Sequence, residues 1–242
     1  MNAIAIIPAR YASTRLPGKP LLDRTGMPLI QHVVETVASA SSIQRIVVAT
    51  DDARIAEAVE AFGGNCVMTR ADHPSGTDRI AETVEKLGLH ADDIVVNVQG
   101  DEPEMPGACV DQLVELLTAG SCPMATLATP LNDDEGDDPN AVKVVTRADG
   151  RALYFSRSRI PFDRDSSRQV RYLLHLGIYA YRVAFLKRYA ALPPTPAEQA
   201  EKLEQLRALE SGFDIAVGVT DYHGRGIDTP ADYEAFVNRC CA

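Results

Sequence analysis

Ile4-Ala5-Ile6-Ile7-Pro8 runs directly into Ala9-Arg10-Tyr11-Ala12-Ser13-Thr14-Arg15-Leu16-Pro17-Gly18-Lys19-Pro20-Leu21. The first five residues form a short apolar run suited to a buried strand. The next segment carries three cations, Arg10, Arg15 and Lys19. Pro17 and Gly18 bend its backbone, and Ser13 and Thr14 add hydroxyls. A strand that empties into such a loop predicts an open α/β sheet with its ligand outside the carboxyl ends of the strands. Arginine grips phosphate oxygens in a bidentate fork and lysine acts as a point charge, so the loop suits a polyphosphate. It is not a Walker A loop, because Gly18-Lys19 is followed by Pro20 instead of Ser or Thr, and it lacks G-x-G-x-x-G.

Periodicity downstream supports the same fold. Ile30, Val33, Val34 and Val37 share one helical face behind Thr25-Gly26-Met27-Pro28. Arg45 to Thr50 reads as a β-branched strand, followed by a helix that starts at Asp51-Asp52 and stops at Gly63-Gly64. Asn65 to Thr69 and Asp93 to Val98 read as strands, with a helix between them capped by Ser75 and closed by Gly88. A helix from Pro106 ends at Gly120. Such alternation predicts a mostly parallel sheet covered on both faces.

From Met124 the pattern turns to strands: Met124–Thr129, Ala141–Thr146, Arg151–Ser156 and Val170–Tyr181. The acidic run between the first two reads as a solvated turn, since it lacks Ca²⁺-loop spacing. A helix carrying Leu203, Leu206 and Leu209, a strand from Asp214 to Val219 and a helix starting at Thr229-Pro230 follow. The expectation is one α/β domain over residues 1–242. It has a Rossmann-like, mixed but mostly parallel sheet, helices on both faces and a β-rich insert at about 124–190.

The net charge of −10 argues against a nonspecific grip on nucleic acid or anionic membrane, and gives the cationic loop a local purpose. The five cysteines show neither a C-x-x-C pair nor metal spacing. Cys240-Cys241 does not fit C-a-a-X, because Arg239 occupies the fourth position from the end. With no signal peptide and no long apolar run, a reducing, cytoplasmic location is expected.

Gln99-Gly100-Asp101-Glu102-Pro103 follows the strand at 93–98, so Asp101 is expected to project into the ligand crevice. Asp228 lies just before the Thr229 cap, which fixes its direction. Two acids from distant segments, if they converge, are what a phosphate-bound Mg²⁺ requires, since that ion takes few protein carboxylates and keeps water and phosphate oxygens. Turn or cap acids are the plain alternative for both. Ser75-Gly76-Thr77-Asp78-Arg79 offers backbone N–H groups at a helix start, a glycine that admits a flat base, and a cation. On the strand Tyr172–Tyr181, Leu174, Leu176, Ile178 and Ala180 alternate with His175, Gly177, Tyr179 and Tyr181. The polar-aromatic face suits a pocket floor for a polyhydroxylated acid.

These segments together resemble the sugar nucleotidyltransferases, and among them the cytidylyltransferases that activate 3-deoxy-manno-octulosonate (Kdo). The likeness spans Ile4 to Asp232. It rests on the opening loop, Ser-Gly-Thr-Asp-Arg at 75–79 (with Asp78 for the family's glutamate), Gln-Gly-Asp-Glu-Pro at 99–103 and Gly-x-Asp-Thr-Pro-x-Asp at 226–232. It further includes Tyr-Phe-Ser-Arg at 154–157, His175-Leu-Gly-Ile-Tyr179 and Glu204-Gln205-Leu206-Arg207.

The resemblance implies transfer of CMP from CTP to Kdo with release of pyrophosphate, for lipopolysaccharide assembly, by a homodimer. Arg10, Arg15 and Lys19 are then triphosphate ligands, and Asp101 and Asp228 hold Mg²⁺. Ser75, Gly76 and Arg79 meet the base or phosphates. Gln99, Arg157, His175, Tyr179, Glu204 and Gln205 complete substrate binding, with Arg157 on the sugar-acid carboxylate. Two other readings stand beside it. One is an activator of another sugar acid, although sialate activators lack Arg-Leu-Pro-Gly-Lys-Pro. The other is a nucleotide-sensing binding protein without chemistry.

Overall fold

The computed structural model describes residues 1–241 except 13–15, 132–134, 166–169 and 225. In chain order the strands are β1 (Ala3–Ala9), β2 (Arg45–Thr50), β3 (Cys66–Met68), β4 (Ile94–Asn97), β5 (Met124–Pro130), β6 (Lys143–Thr146), β7 (Ala152–Ser156), β8 (Leu173–Arg182) and β9 (Ile215–Val219). The helices are α1 (Leu29–Ala38), α2 (Ala53–Ala61), α3 (Gly76–Lys86), α4 (Gly107–Ala119), α5 (Val183–Ala190), α6 (Pro196–Glu201), α7 (Leu206–Glu210) and α8 (Pro230–Cys240).

One sheet runs through the molecule in the order β3-β2-β1-β4-β8-β5-β9. β1, β2, β3 and β4 pair in parallel and β5 pairs in parallel with β9, while β8 is antiparallel to both its neighbours. The sheet is therefore mixed and mostly parallel. Along β1, Ala3, Ala5, Ile7 and Ala9 enter one core with α1, α2 and α4, and Ile4 and Ile6 enter the opposite core with α3 and α5. The continuous apolar reading of this strand follows from that double burial. α8 forms a third cluster with Leu16, Leu29 and Ile227, which brings the chain end back over the first loop.

The structure revises three details of the sequence reading. β5, β8 and β9 belong to the central sheet, so of the second-half strands only the β6–β7 hairpin stands off its path. The helix expected through Leu203 and Leu209 is two short helices, because Lys202 takes a left-handed conformation (φ 54°) and ends α6. α5 was not anticipated. It starts directly from β8 at Arg182 with no side-chain cap, and Val-Ala-Phe-Leu carries no start signal.

Strand order reverses at β1, which pairs with β2 on one side and β4 on the other, so a crevice opens between the loops that leave β1 and β4. β8 has a bulge where Thr126 faces Tyr179 and Leu127 faces Leu176. The extra residues, Gly177 and Ile178, locally bend the strand. Burial pushes the thiols of Cys66, Cys109 and Cys122 up, so these cysteines serve as small apolar side chains. Among the described residues no helix is long and apolar enough to cross a membrane.

Candidate active site

The β1 loop closes on itself: Gly18 N–H donates to the Tyr11 carbonyl at 3.1 Å. Gly18 has φ 67°, and a Cβ there would lie 3.2 Å from the Tyr11 ring, so the turn requires glycine. The Arg54 guanidinium covers the other face of that ring, 3.3 Å from its centroid, and is itself held by Asp52. The turn delivers Lys19 into the crevice with its side chain only 14% exposed.

Lys19 Nζ donates to Asp101 Oδ2 at 2.8 Å and to the Ile227 carbonyl at 2.7 Å, and lies 3.5 Å from Asp228 Oδ1. One ammonium thus gathers the β4 loop and the segment that enters α8. Two backbone bonds fix the same juxtaposition. Ile227 N–H donates to the Asp101 carbonyl at 2.8 Å, and Asp228 N–H donates to Asp232 Oδ2 at 3.1 Å. Asp232 also completes the Thr229 capping box, so the start of α8 sets the direction of Asp228, as expected from sequence.

A cleft of about 390 Å³ lies over these groups, lined by Arg10, Lys19, Gly76, Gln99, Gly100 and Asp101 among others. Arg10 Nη2 donates to the His73 carbonyl at 2.9 Å. Ser75 Oγ accepts from Asp78 N–H at 3.2 Å and starts α3, which places the helix N-terminus on the cleft. Gln99 Nε2 reaches the Gly177 carbonyl at 3.3 Å, which joins the cleft to the β8 bulge.

Beyond the bulge, rings run in contact from Phe155 through His175 and Tyr179 to Tyr181. His175 Nε2 meets Thr126 Oγ1 at 3.0 Å, and burial pushes its imidazole down to about 3, so it stays neutral. Burial pushes the Tyr179 phenol up. Glu204 and Gln205 lie between α6 and α7, not on a helix. Burial also pushes the Glu204 carboxyl up, opposed by a hydrogen bond to Thr77 at the start of α3. Gln205 is 4% exposed and its Nε2 has no hydrogen-bond partner among the described residues. Glu204 also lines a hollow of about 520 Å³ with Ser75, Asp78 and Lys202.

Arg10, Lys19, Ser75, Gly76, Gln99, Asp101 and Asp228 are thus brought together, with Tyr179 and Glu204 on an adjoining wall. Two of the expected ligand contacts are engaged within the protein. Arg79 is fully enclosed, with Nη2 2.8 Å from Asp51 Oδ1 and Nη1 2.5 Å from Thr69 Oγ1. It braces the ends of β2 and β3 from within the fold. Arg157 spends its guanidinium on the carbonyls of Glu201 (2.7 Å), Pro139 (2.8 Å) and Lys202 (3.4 Å), so reaching a substrate carboxylate requires an exchange of partners. Arg15 lies outside the described residues.

Glu102 escaped the sequence reading, because nothing separates it from an ordinary turn acid. Its carboxyl accepts from the Tyr222 hydroxyl at 3.2 Å. Burial, then the charge of Asp101, pushes it up to about 7. Asp101 and Asp228 thus flank the Lys19 ammonium, and the Glu102 carboxyl lies close enough to feel the charge of both acids. Among the described residues no group of three or more His, Cys, Asp or Glu side chains forms a protein cage for a metal. Two carboxylates drawn to one cation fit an ion that completes its shell with phosphate and water.

A family model described as Cytidylyltransferase matches residues 4–215. The chain is 53% identical over 240 residues to a 3-deoxy-manno-octulosonate cytidylyltransferase of Syntrophobacter fumaroxidans, covering 98% of this chain and 96% of that protein. A solved structure of a CMP:2-keto-3-deoxy-manno-octonic acid synthetase complexed with CTP superposes with a TM-score of 0.94 at 45% identity, covering 100% of this chain and 99% of the other. A cytidylyltransferase from Leptospira borgpetersenii shares the fold alone, with a TM-score of 0.66 at 17% identity over 98% of this chain and 85% of that one.

Proposed function

The chain belongs to the cytidylyltransferase family, and from that premise we infer that it transfers CMP from CTP to 3-deoxy-D-manno-octulosonate, releasing pyrophosphate. The observation that carries the reading is the meeting of Lys19, Asp101 and Asp228, from three remote segments, at the strand ends where this fold binds ligands.

The reaction is an in-line displacement. As the sugar's anomeric hydroxyl gives up its proton to solvent, its oxygen forms a bond to the α-phosphorus, the α–β bridging bond breaks, and pyrophosphate leaves with its electron pair. Such chemistry is mainly positioning and neutralisation of charge. Arg10 and Lys19 hold the β- and γ-phosphates and oppose the charge that builds on the leaving group, with Arg15 assigned to the same task. The α3 start at Ser75 and Gly76 receives the base. Gln99, His175, Tyr179, Glu204 and Gln205 form the sugar wall, on which the unpartnered Gln205 amide is a ready donor to a hydroxyl. Arg157 fixes the Glu201–Lys202 backbone beside it. Asp101 and Asp228 are the residues that would hold Mg²⁺, which supplies neutralisation of the α-phosphate and lowers the pKa of the attacking hydroxyl.

Cytoplasmic location and a homodimer belong to the same reading. Exposed Leu153 and Tyr154 on β7, a strand paired only with β6 among the described residues, together with exposed Phe162, support the second. Pyrophosphate release from CTP and Mg²⁺ with a panel of sugar acids tests the assignment. Kdo is expected to be the preferred acceptor. Asp101→Asn is expected to lower kcat by about 100-fold or more while metal-free CTP binding persists. Near-normal turnover in that variant would remove Asp101 from the mechanism, and preference for an amino-sugar analogue would reassign the acceptor.

A further inference from the structure

The segment from Thr69 to Pro74 links β3 to α3. It is fastened on one side by a single carboxylate and presents two acceptors on the other. Glu82, on α3, reaches back along the segment. Its Oε2 accepts the Arg70 N–H at 3.0 Å and also contacts the His73 ring nitrogen Nε2. Its Oε1 pairs with Lys86 Nζ at 2.8 Å, and the same ammonium donates to the Met68 carbonyl at 2.6 Å. The His73 side chain is only 4% exposed, so the imidazole is locked in place.

The acceptors on the far side hold cations. Thr69 Oγ1 takes a bond from Arg79, and the His73 carbonyl takes one from Arg10 Nη2 at 2.9 Å. Arg79 and Arg10 lie close enough that their like charges oppose each other. Arg10 therefore keeps its place only if its carbonyl partner is fixed. That partner sits on the residue whose ring Glu82 holds.

We propose that Glu82, acting through His73, is a positioning residue that aims the Arg10 guanidinium at the triphosphate. The proposal rests on the CTP reading above and assigns a role to a carboxylate outside the cleft. Burial alone would raise the Glu82 carboxyl, but Lys86, His73 and the Arg70 N–H hold it down at about 2, so the anchor stays ionised wherever the enzyme works. The design follows a general rule: a binding group is held to sub-ångström tolerance by a supporting shell that does not itself touch ligand.

The test is a double-mutant cycle on the full chain, read by pyrophosphate release at saturating Kdo. Arg10→Ala and Glu82→Ala are each expected to raise the KM for CTP by about tenfold, the scale of one charge-assisted hydrogen bond. The double variant is expected to be no worse than Arg10→Ala alone. Inhibition by CMP, which lacks the β- and γ-phosphates, is expected to stay within about twofold. Glu82→Gln keeps an acceptor for Arg70 and His73 and is expected to restore KM to within about threefold.

Where Glu82→Ala does not fold, His73→Phe keeps the ring and removes the nitrogen, and the same rise in KM is expected. An unchanged KM in a less stable Glu82 or His73 variant overturns the proposal, as do losses that multiply in the double variant. Absence of CTP turnover in the wild type, or an unchanged Arg10→Ala, overturns the underlying reading and the proposal with it.

Discussion

At Gly100 the backbones leaving β1 and β4 come as close as this fold allows. A Cβ there would lie 3.0 Å from the Pro8 carbonyl oxygen, a main-chain atom that cannot swing aside. Gly100→Ala is therefore expected to cost about 1–3 kcal/mol and to lower kcat/KM, because the neighbour displaced with it is Asp101. Denaturant unfolding and steady-state rates check both parts, and wild-type values for each would show that the strand ends separate freely. The position of Asp101 on the cleft was legible, because it follows a buried strand and a glycine at the end of the sheet where ligands sit. That of Glu102 was not, because its meaning depends on Tyr222, which is remote in sequence. Arg79 misled for a related reason. The first turn of α3 advertises a ligand site, yet the side chain four residues past the Ser75 cap turns inward to Asp51.

Among the elements, the α6–α7 connection shows where periodicity stops being informative. Three leucines at helical spacing predicted a single helix, but Lys202 turns the chain and leaves Glu204 and Gln205 at the break. What stabilises this break is a pair that bridges it: Arg207 clasps Glu198 with bonds of 2.9 and 2.5 Å, both side chains being largely buried. Burial would raise the Glu198 carboxyl, but the Arg207 fork and the Thr195 N–H hold it below its ordinary value. Because its folded pKa lies below the unfolded one, the stabilisation is present above the usual Glu pKa and is lost as pH falls through the lowered value. Glu198→Gln is expected to cost about 2 kcal/mol at pH 7. That deficit should shrink as the pH is lowered below about 4. Urea titrations at the two pH values test this, and a pH-independent deficit would rule the ion pair out. The strands and the long helices were legible from the sequence, because their signal is local. The hidden α5 is set by packing against β8 and α3, and the broken α6–α7 by packing of α7 against β7 and by the Glu198–Arg207 pair.

For the whole molecule, alternation of strands and helices predicted the layers correctly, but it could not place β8. A strand that runs against all its neighbours in the sheet is specified by its pairing with β4 and β5 and by no residue of its own. The sheet's margins differ in how they are finished. The β9 edge is partly covered, since Val217 N–H donates to the Gly150 carbonyl. β7 instead carries Leu153 at 54% exposure beside Tyr154 at 38%, an apolar edge that invites a second chain. If this edge carries the homodimer proposed above, Leu153→Lys shifts the protein toward the monomer in sedimentation equilibrium at micromolar concentration with little change in helical circular dichroism. An unaltered molecular mass would remove this edge from the proposed contact.

Lys19 makes the molecule its own counter-ion. Asp101 and Asp228 would repel each other across the crevice, and the tethered ammonium between them removes that penalty in the resting protein. The fold therefore carries a cation of its own where the two carboxylates approach. An incoming nucleotide meets an internal clasp whose grip it must replace, so the tightness of that clasp helps to set how firmly the first substrate is held.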